Sequence, residues 1–186
     1  LADDIEVFSY SISKDTFSDT GYAAGRIAIY PNGVYDDGTV SFITMDAKSD
    51  YKNIVFLDPA TLKATVMPMP KDKEIGAVFI SPNKRYMAVN TSGYMSVTDL
   101  ETGKSLYKDP RVKGADPYGV DDKLPAATQW SKDSSMLLFR YVGWEWVYYS
   151  AIFYPSDASV KNLSSLSYVS AALVSNATLL YTDSYA

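Results

Sequence analysis

The feature that most constrains this chain is a turn motif that occurs twice, at an offset of 50 residues (81 to 131). Ser81–Val89 reads SPNKRYMAV and Ser131–Phe139 reads SKDSSMLLF: a serine, a polar turn, then an apolar run. A shorter copy begins at Ser175. A second motif, Val55–Lys63, matches Ser96–Lys104 at an offset of 41 (Asp58 to Asp99). Periods of about 40–50 residues are typical of stacked units that bury their apolar faces against one another.

Each unit consists of short strands separated by turn residues. Runs rich in β-branched and aromatic residues alternate with clusters such as Pro31-Asn32-Gly33 and Asp36-Asp37-Gly38. Such runs predict strands and such clusters predict tight turns, and no segment has a convincing helical period. We therefore predict an all-β fold of about four antiparallel four-stranded units. Their approximate bounds are residues 23–70, 75–109, 125–164 and 168–186.

The two motifs together resemble the β-propeller repeats of the TolB-like and WD40-like superfamily. Those repeats read Ser-Pro-Asp-Gly-Lys, then an apolar strand, then an Asp-Leu-x-Thr-Gly-Lys turn. Ser81–Val89 followed by Asp99–Lys104 matches one whole blade, whereas the Gly-His and Trp-Asp dipeptides of true WD40 proteins are absent. The resemblance implies a single β-propeller-like domain over residues 1–186, with four-stranded blades as its units.

The fourth unit has too few residues for a complete blade. Residues 5–12 read IEVFSYSI, which predicts a strand. Because propellers commonly close by adding an amino-terminal strand to the last blade, we expect residues 5–12 to pair beside Thr178–Thr182. The alternative is an extra edge strand on the first unit. The assembly is then a four-bladed ring, an open stack, or part of a longer propeller or oligomer joined through unpaired blade edges.

Composition excludes several classes of chemistry. The 186 residues include no cysteine and no histidine, which excludes disulfides, Cys- or His-ligated metal sites, and Ser-His-Asp or Cys-His catalysis. We therefore predict no catalytic residue, no metal site and no cofactor. The net charge of −5 without a basic stripe argues against nucleic acid. No uninterrupted apolar run approaches the roughly 18 residues of a membrane span.

Two loops stand out as a candidate ligand-binding surface. The resemblance implies that ligands meet the face formed by loops between the second and third strands and between blades. The longest such loop is residues 109–125, and the hairpin tip at 141–146 belongs to the same blade. Indole rings give rigid contact area and carboxylates orient a polar ligand. The candidate residues are Asp116, Tyr118, Asp121, Asp122, Trp144, Glu145 and Trp146. Alternatively, Trp144 and Trp146 pack between blades.

These features favour a non-enzymatic module that holds a protein, peptide or glycan at one loop face. One alternative is a carboxylate-dependent glycosidase or lyase in which Glu145 acts with Asp116 or Asp121. Another is a structural part of a larger propeller or oligomer. With 16 tyrosines, three tryptophans and no cysteine, the composition favours export to a bacterial periplasm, cell surface or medium.

Overall fold

The computed structural model describes residues 6–11, 13–23, 29–45, 51–69, 75–110, 124–142, 147–163, 169–175 and 178–183. The chain divides into two compact units, Leu1–Lys73 and Glu74–Ala186. Within the described residues every regular element is a β-strand. A search of these residues for a helix long and apolar enough to cross a membrane finds none.

The first unit contains a hairpin and a four-stranded antiparallel sheet. The hairpin strands are β1 (Glu6–Ser11) and β2 (Thr16–Ala23), and the sheet strands, paired in chain order, are β3 (Ile29–Val34), β4 (Val40–Met45), β5 (Tyr51–Asp58) and β6 (Lys63–Pro68). Phe42, Val55 and Leu57 form a buried cluster on β4 and β5. The outer strand β6 is largely exposed, as expected for a sheet edge.

The second unit contains two further four-stranded antiparallel sheets and a hairpin. The first sheet is β7 (Ile75–Ile80), β8 (Tyr86–Thr91), β9 (Tyr94–Asp99) and β10 (Ser105–Pro110). The second is β11 (Leu124–Trp130), β12 (Leu137–Val142), β13 (Val147–Tyr154) and β14 (Ser159–Leu163). The hairpin is β15 (Val169–Ser175) and β16 (Thr178–Asp183). The prediction of an all-β fold in antiparallel four-stranded units is confirmed.

The sheets of the second unit stack through buried side chains. Met95 and Val97 of β9 pack with Leu137, Phe139 and Phe153 of the neighbouring sheet. On the other face of that sheet, Leu138 and Ile152 pack against Leu173 of β15. Since successive residues of a strand point to opposite faces, the consecutive burial of Leu137, Leu138 and Phe139 shows that β11–β14 is covered on both faces.

The serine motif has the same hydrogen bonds in both copies. The Ser81 hydroxyl donates to Asn83 Oδ1 at 2.7 Å and accepts the Tyr86 N–H at 2.8 Å. In the second copy, Ser131 does the same with Asp133 and Met136, at 2.8 and 2.9 Å. Lys84 and Ser134 occupy the same left-handed position, with φ of 62° and 64°. The repeated sequence thus encodes one side-chain-braced turn between the first two strands of a sheet.

The second repeated motif, which contains Asp58 in one copy and Asp99 in the other, is likewise one turn that occurs twice. Asp58 Oδ1 accepts the backbone N–H groups of Ala60 and Thr61, and Asp99 Oδ1 accepts those of Glu101 and Thr102. Leu62 and Gly103 occupy the left-handed position four residues later, with φ of 57° and 69°. Both turns connect the third and fourth strands of their sheets.

The amino-terminal strand forms a hairpin with a strand that the sequence did not predict. In the described residues β1 pairs with β2, with Tyr10 opposite Phe17, and Asp15 in the connecting turn has a φ of 52°. The hairpin occupies one edge of β1, and the expected pairing of residues 5–12 beside Thr178–Thr182 or on the first four-stranded sheet stays a prediction. A hairpin closes a loop of a few residues, whereas the other pairings close much longer loops at a greater cost in chain entropy.

Candidate functional site

The seven predicted site residues lie outside the described residues, in segments 111–123 and 143–146, but the strands that carry these segments are described. Segment 111–123 ends where Leu124 begins β11, and segment 143–146 lies between Val142 and Val147. Leu124 is paired with Val142, and Val142 is paired with Val147. Both segments therefore meet the sheet β11–β14 at the same end.

A polar cluster joins this end to the neighbouring sheet. Asp109 Oδ2 accepts a hydrogen bond from the Tyr107 hydroxyl at 2.8 Å and another from the Tyr141 hydroxyl. Asp109 is the second-last residue of β10, which ends at Pro110, where segment 111–123 begins. Tyr141 is the second-last residue of β12, which ends at Val142, where segment 143–146 begins. The cluster therefore joins the end of β10, after which segment 111–123 begins, to the end of β12, after which segment 143–146 begins.

The cluster is anchored in the apolar core between the two sheets. The Tyr107 ring lies 5.1 Å from the Phe153 ring and 6.0 Å from the Phe139 ring, measured between centroids. Tyr141 is only 8% exposed. Its burial, together with its hydrogen bond to Asp109, raises the pKa of the Tyr141 phenol above its usual value. Tyr141 therefore remains a neutral hydrogen-bond donor at physiological pH.

A second aromatic group lies beside the point where segment 111–123 begins. Tyr94 is opposite Pro110 in the β9–β10 pair, and the Lys108 ammonium lies 3.7 Å from the centre of the Tyr94 ring, a cation–π contact. The turn before Tyr94 is fixed by Thr91 Oγ1, which accepts the N–H groups of Gly93 and Tyr94. We call this end of the two sheets, marked by Tyr94, Asp109, Tyr141 and Val142, the loop end.

Polar contacts also fix the two sheets to each other away from the loop end. At the opposite end, the Asn83 N–H donates to Ser134 Oγ at 2.9 Å, and the Trp130 indole donates to the Phe79 carbonyl at 3.0 Å. Between the two ends, the Asn90 amide exchanges two hydrogen bonds with the backbone of Ala127. Hydrogen bonds therefore connect the two sheets at several points along their length, and the loop end belongs to this connected pair of sheets.

Sequence reasoning missed Tyr107, Asp109 and Asn90. Asn90 directly follows the apolar run Met87–Val89 in β8. Asp109 lies two residues after Tyr107 in β10. For Asn90 the sequence signal is a polar residue directly after a buried apolar run, because such a side chain requires a partner when its neighbours are buried; the mixed sequence of β10 gives no comparable signal for Tyr107 or Asp109. Their partners lie 37 and 32 positions away, so no local pattern identifies them.

The described groups at the loop end are hydrogen-bonding and aromatic side chains. They comprise phenols, one ammonium group and a carboxylate that is engaged by two tyrosines. Among the residues that the structure describes, no group of three or more acidic side chains converges in a way that could hold a metal ion. The arrangement can therefore orient and present the two segments, and it can offer hydrogen-bond donors and aromatic surface to a ligand.

Comparison with known proteins adds evidence on the fold. No protein-family model matches the chain, and no curated protein sequence matches it. Among solved structures, the Dos1 propeller is similar with a TM-score of 0.54 and 15% identity, over 92% of this chain and 43% of that one. TolB from Acinetobacter baumannii is similar with a TM-score of 0.50 and 16% identity, over 85% and 37%.

An oligogalacturonate lyase from Vibrio parahaemolyticus is similar to the same degree, with a TM-score of 0.50 and 14% identity, over 86% of this chain and 46% of that one. The chain thus spans less than half the length of each of these structures. At such identities the likeness is one of fold, and it agrees with the stacked four-stranded sheets and repeated turns described above. This chain therefore has the blade fold of a β-propeller, with antiparallel four-stranded sheets as its units.

Proposed function

We propose that the chain is a non-enzymatic binding module that holds a protein, peptide or glycan at its loop end. The observation that supports this most is the hydrogen bonding of Asp109 to both Tyr107 and Tyr141. These bonds fix the strand ends from which segments 111–123 and 143–146 leave. Binding proteins commonly present their contact residues on loops that a rigid scaffold positions.

The contacts themselves are assigned to the seven residues that the sequence singled out. Trp144 and Trp146 supply rigid apolar area, and Tyr118 adds a ring with a hydroxyl group. Glu145 and the carboxylates of Asp116, Asp121 and Asp122 accept hydrogen bonds from the ligand. Aromatic side chains of this kind dominate the binding energy of many interfaces.

A non-enzymatic role is supported by the residues available. The chain has no histidine or cysteine, and the Asp109 carboxylate is already engaged by two phenols. The fold does not distinguish binding from catalysis, because similar structures include TolB and an oligogalacturonate lyase. The assignment therefore depends on the side chains at the loop end.

A thermal-shift screen of the purified chain against glycans and peptides, followed by a pull-down for protein partners, tests the proposal. Trp144→Ala is the test variant, and Val66→Ala, at an exposed position on the outer strand β6, is the matched control. We expect Trp144→Ala to weaken binding at least about tenfold at an unchanged melting temperature, and the control to bind normally. A lower melting temperature with retained binding would assign Trp144 to packing between blades and overturn the proposal.

The competing enzymatic function is a carboxylate-dependent glycosidase or lyase, which the similarity to an oligogalacturonate lyase brings into consideration. Incubation with chromogenic glycosides and with oligogalacturonates tests it directly. Turnover that is abolished in Glu145→Gln would replace the binding proposal with this one. A purely structural role in a larger propeller or oligomer predicts instead a solution mass above 20.5 kDa, without ligand binding.

We also propose that the protein is exported. The support is compositional: tyrosine is abundant at 16 residues and cysteine is absent. Fractionation of the producing cells into cytoplasm, envelope and medium, with immunodetection of the chain, tests this. Recovery in the cytoplasmic fraction alone contradicts it.

A further inference from the structure

Two buried polar atoms of the described residues have no hydrogen-bond partner: Arg140 Nε and Ser150 Oγ. Buried polar groups in folded proteins are almost always paired, so each exception requires an explanation. Here the two exceptions are neighbours, because Arg140 on β12 is paired directly with Ser150 on β13. Their side chains therefore lie side by side on the sheet.

Strand alternation places both side chains on the face that is turned toward β15. Leu138 precedes Arg140 by two positions and Ile152 follows Ser150 by two, and both Leu138 and Ile152 pack against Leu173 of β15. Tyr141, adjacent to Arg140 in sequence, belongs to the opposite face, where it bonds to Asp109. The Arg140–Ser150 pair is thus separate from the Asp109 cluster, although it lies near the same end of the sheet.

The surroundings of the pair favour an anion. Ser150 is fully buried, whereas Arg140 is partly exposed as a whole residue although its Nε atom is buried. Lys161, which is paired with Ile152, is exposed on the same face and adds a second positive charge. In a chain with a net charge of −5, Arg140 and Lys161 thus put two positive charges on this face of the described strands.

We propose that Arg140 and Ser150 form a binding site for a carboxylate group of a ligand. A guanidinium group binds a carboxylate through two parallel hydrogen bonds, one from Nε–H and one from an adjacent Nη–H. The Ser150 hydroxyl, next to it, donates a third. This site goes beyond the loop-end proposal, since it lies on the other face of β11–β14 and specifies the chemistry of the group that is bound.

The proposal makes a distinctive statement about stability. Replacing an arginine that stabilises the fold lowers the stability of the protein. An arginine whose Nε is buried and unpaired instead costs folding free energy, and an apolar side chain of similar length removes this cost. We expect Arg140→Met to keep or raise the melting temperature of the protein without ligand. Ser150→Ala removes an unpaired buried hydroxyl, so we expect it to do the same.

The test follows the side-chain Nε–H signals of the full chain by nuclear magnetic resonance, with the Arg140 signal assigned as the one that Arg140→Met removes. Acetate, N-acetylglycine and glucuronate are titrated at matched ionic strength against sodium chloride. Acetate gives the response of the carboxylate alone, and the other two distinguish a peptide terminus from an acidic sugar. The Arg85 Nε–H is an internal control, because it already donates to Asp99 at 3.1 Å.

We expect the Arg140 signal to move downfield and saturate with carboxylates, while the Arg85 signal stays in place. Ser150→Ala should weaken the affinity roughly threefold or more; Lys132→Gln, an exposed charge change at the opposite end of the sheet, should not. Trp144→Ala should leave the titration unchanged, which separates this site from the loop end. The proposal is overturned by an Arg140 signal that responds to no carboxylate more than to chloride, or by loss of stability in Arg140→Met.

Discussion

Asn90 and Ala127 exchange two hydrogen bonds across neighbouring sheets: the Asn90 amide oxygen accepts the Ala127 N–H at 2.8 Å, and the amide nitrogen donates to the Ala127 carbonyl at 3.1 Å. The side chain thereby pairs with β11 as the backbone of another strand would. Gln129 pairs with the backbone of Leu173 in the same manner, at 3.0 and 2.8 Å. Amide side chains thus link each of these sheets to the next one along the chain.

The first prediction concerns this link. Asn90→Asp keeps the acceptor but replaces the donor with a second oxygen facing the Ala127 carbonyl. We expect a loss of about 1–3 kcal/mol in the free energy of unfolding, because a buried partner is left unpaired next to a charge. Urea unfolding followed by circular dichroism measures it. Asn162→Asp, exposed on the outer strand β14, is the control and should change stability little; equal effects of the two variants would refute the link.

The second prediction concerns Tyr141. Tyr141→Phe removes one of the two phenols on Asp109 and should cost about 1–2 kcal/mol at pH 7. The folded-state pKa of Tyr141 lies above its usual 10.0. Its contribution is therefore complete below pH 10 and decreases as the pH rises above 10, where the unfolded chain loses a proton that the folded protein retains.

Urea unfolding at pH 7 and over the range of pH 9–11 checks both parts. The stability of the wild-type protein should decrease more steeply above pH 10 than that of Tyr141→Phe. Identical pH profiles would show that the Tyr141 phenol is not coupled to folding. Tyr154→Phe, which removes the hydroxyl of a partly buried tyrosine on β13, serves as the matched control.

The third prediction concerns Asp99, which braces a turn and also accepts hydrogen bonds from Arg85 Nε and Nη2 at 3.1 and 2.9 Å. Burial acts to raise the pKa of Asp99, but hydrogen bonds from Thr102, Arg85 and Glu101 outweigh it, and the pKa is lowered from its usual 3.8. A lowered folded-state pKa stabilises the protein at pH values above the ordinary pKa of 3.8. This stabilisation is lost as the pH falls from 3.8 through the lower folded-state pKa.

Unfolding by urea between pH 2.5 and pH 7 tests this assignment. Asp99→Asn should be less stable than the wild type at pH 7, and the difference should shrink below about pH 4, as protonation removes the charge from the wild-type residue. A difference that is constant over this range would show that the carboxylate charge contributes nothing. Asp36→Asn, at an exposed turn position, provides the comparison.

The fourth prediction separates backbone strain from packing. Gly103 has a φ of +69° and Gly93 does not have a left-handed φ, yet an added Cβ would meet no atom within 4 Å at either position. Gly103→Ala should therefore destabilise by about 1–2 kcal/mol through the left-handed backbone alone. Gly93→Ala should be neutral or slightly stabilising. Thermal unfolding of the two variants, measured in parallel, tests this prediction. Equal melting temperatures would show that the left-handed backbone at Gly103 costs an alanine nothing.

The sequence predicts those parts of the structure that depend on nearby residues. The turns at Ser81 and Ser131 are specified by side chains within five positions, so the repeat and the sheets on either side of it follow from the pattern. Strand β2 was not predicted, because Asp19 and Gly21 make Thr16–Ala23 look like a loop. Only its pairing with β1 establishes it as a strand.

The contacts that organise the candidate site were not predictable in this way. Tyr141 and Asp109 are brought together by the stacking of two sheets, and so are Asn90 and Ala127. Neither pair has a spacing that any local motif would reveal. Segments 111–123 and 143–146 were recognised by loop length and aromatic content, and their residues stay a prediction, whereas the convergence of the strands that carry them is a property of the fold.

The burial of β12 on both sides bears on how such a chain can change during evolution. Leu138 and Phe139 are adjacent in sequence but are covered by different neighbours, one by β15 and the other by the preceding sheet. A deletion that removed one neighbour would leave half of these side chains in water. Outside the connecting loops, we therefore expect strands to be gained or lost in this stack as paired groups that cover a whole face of β11–β14 rather than one at a time.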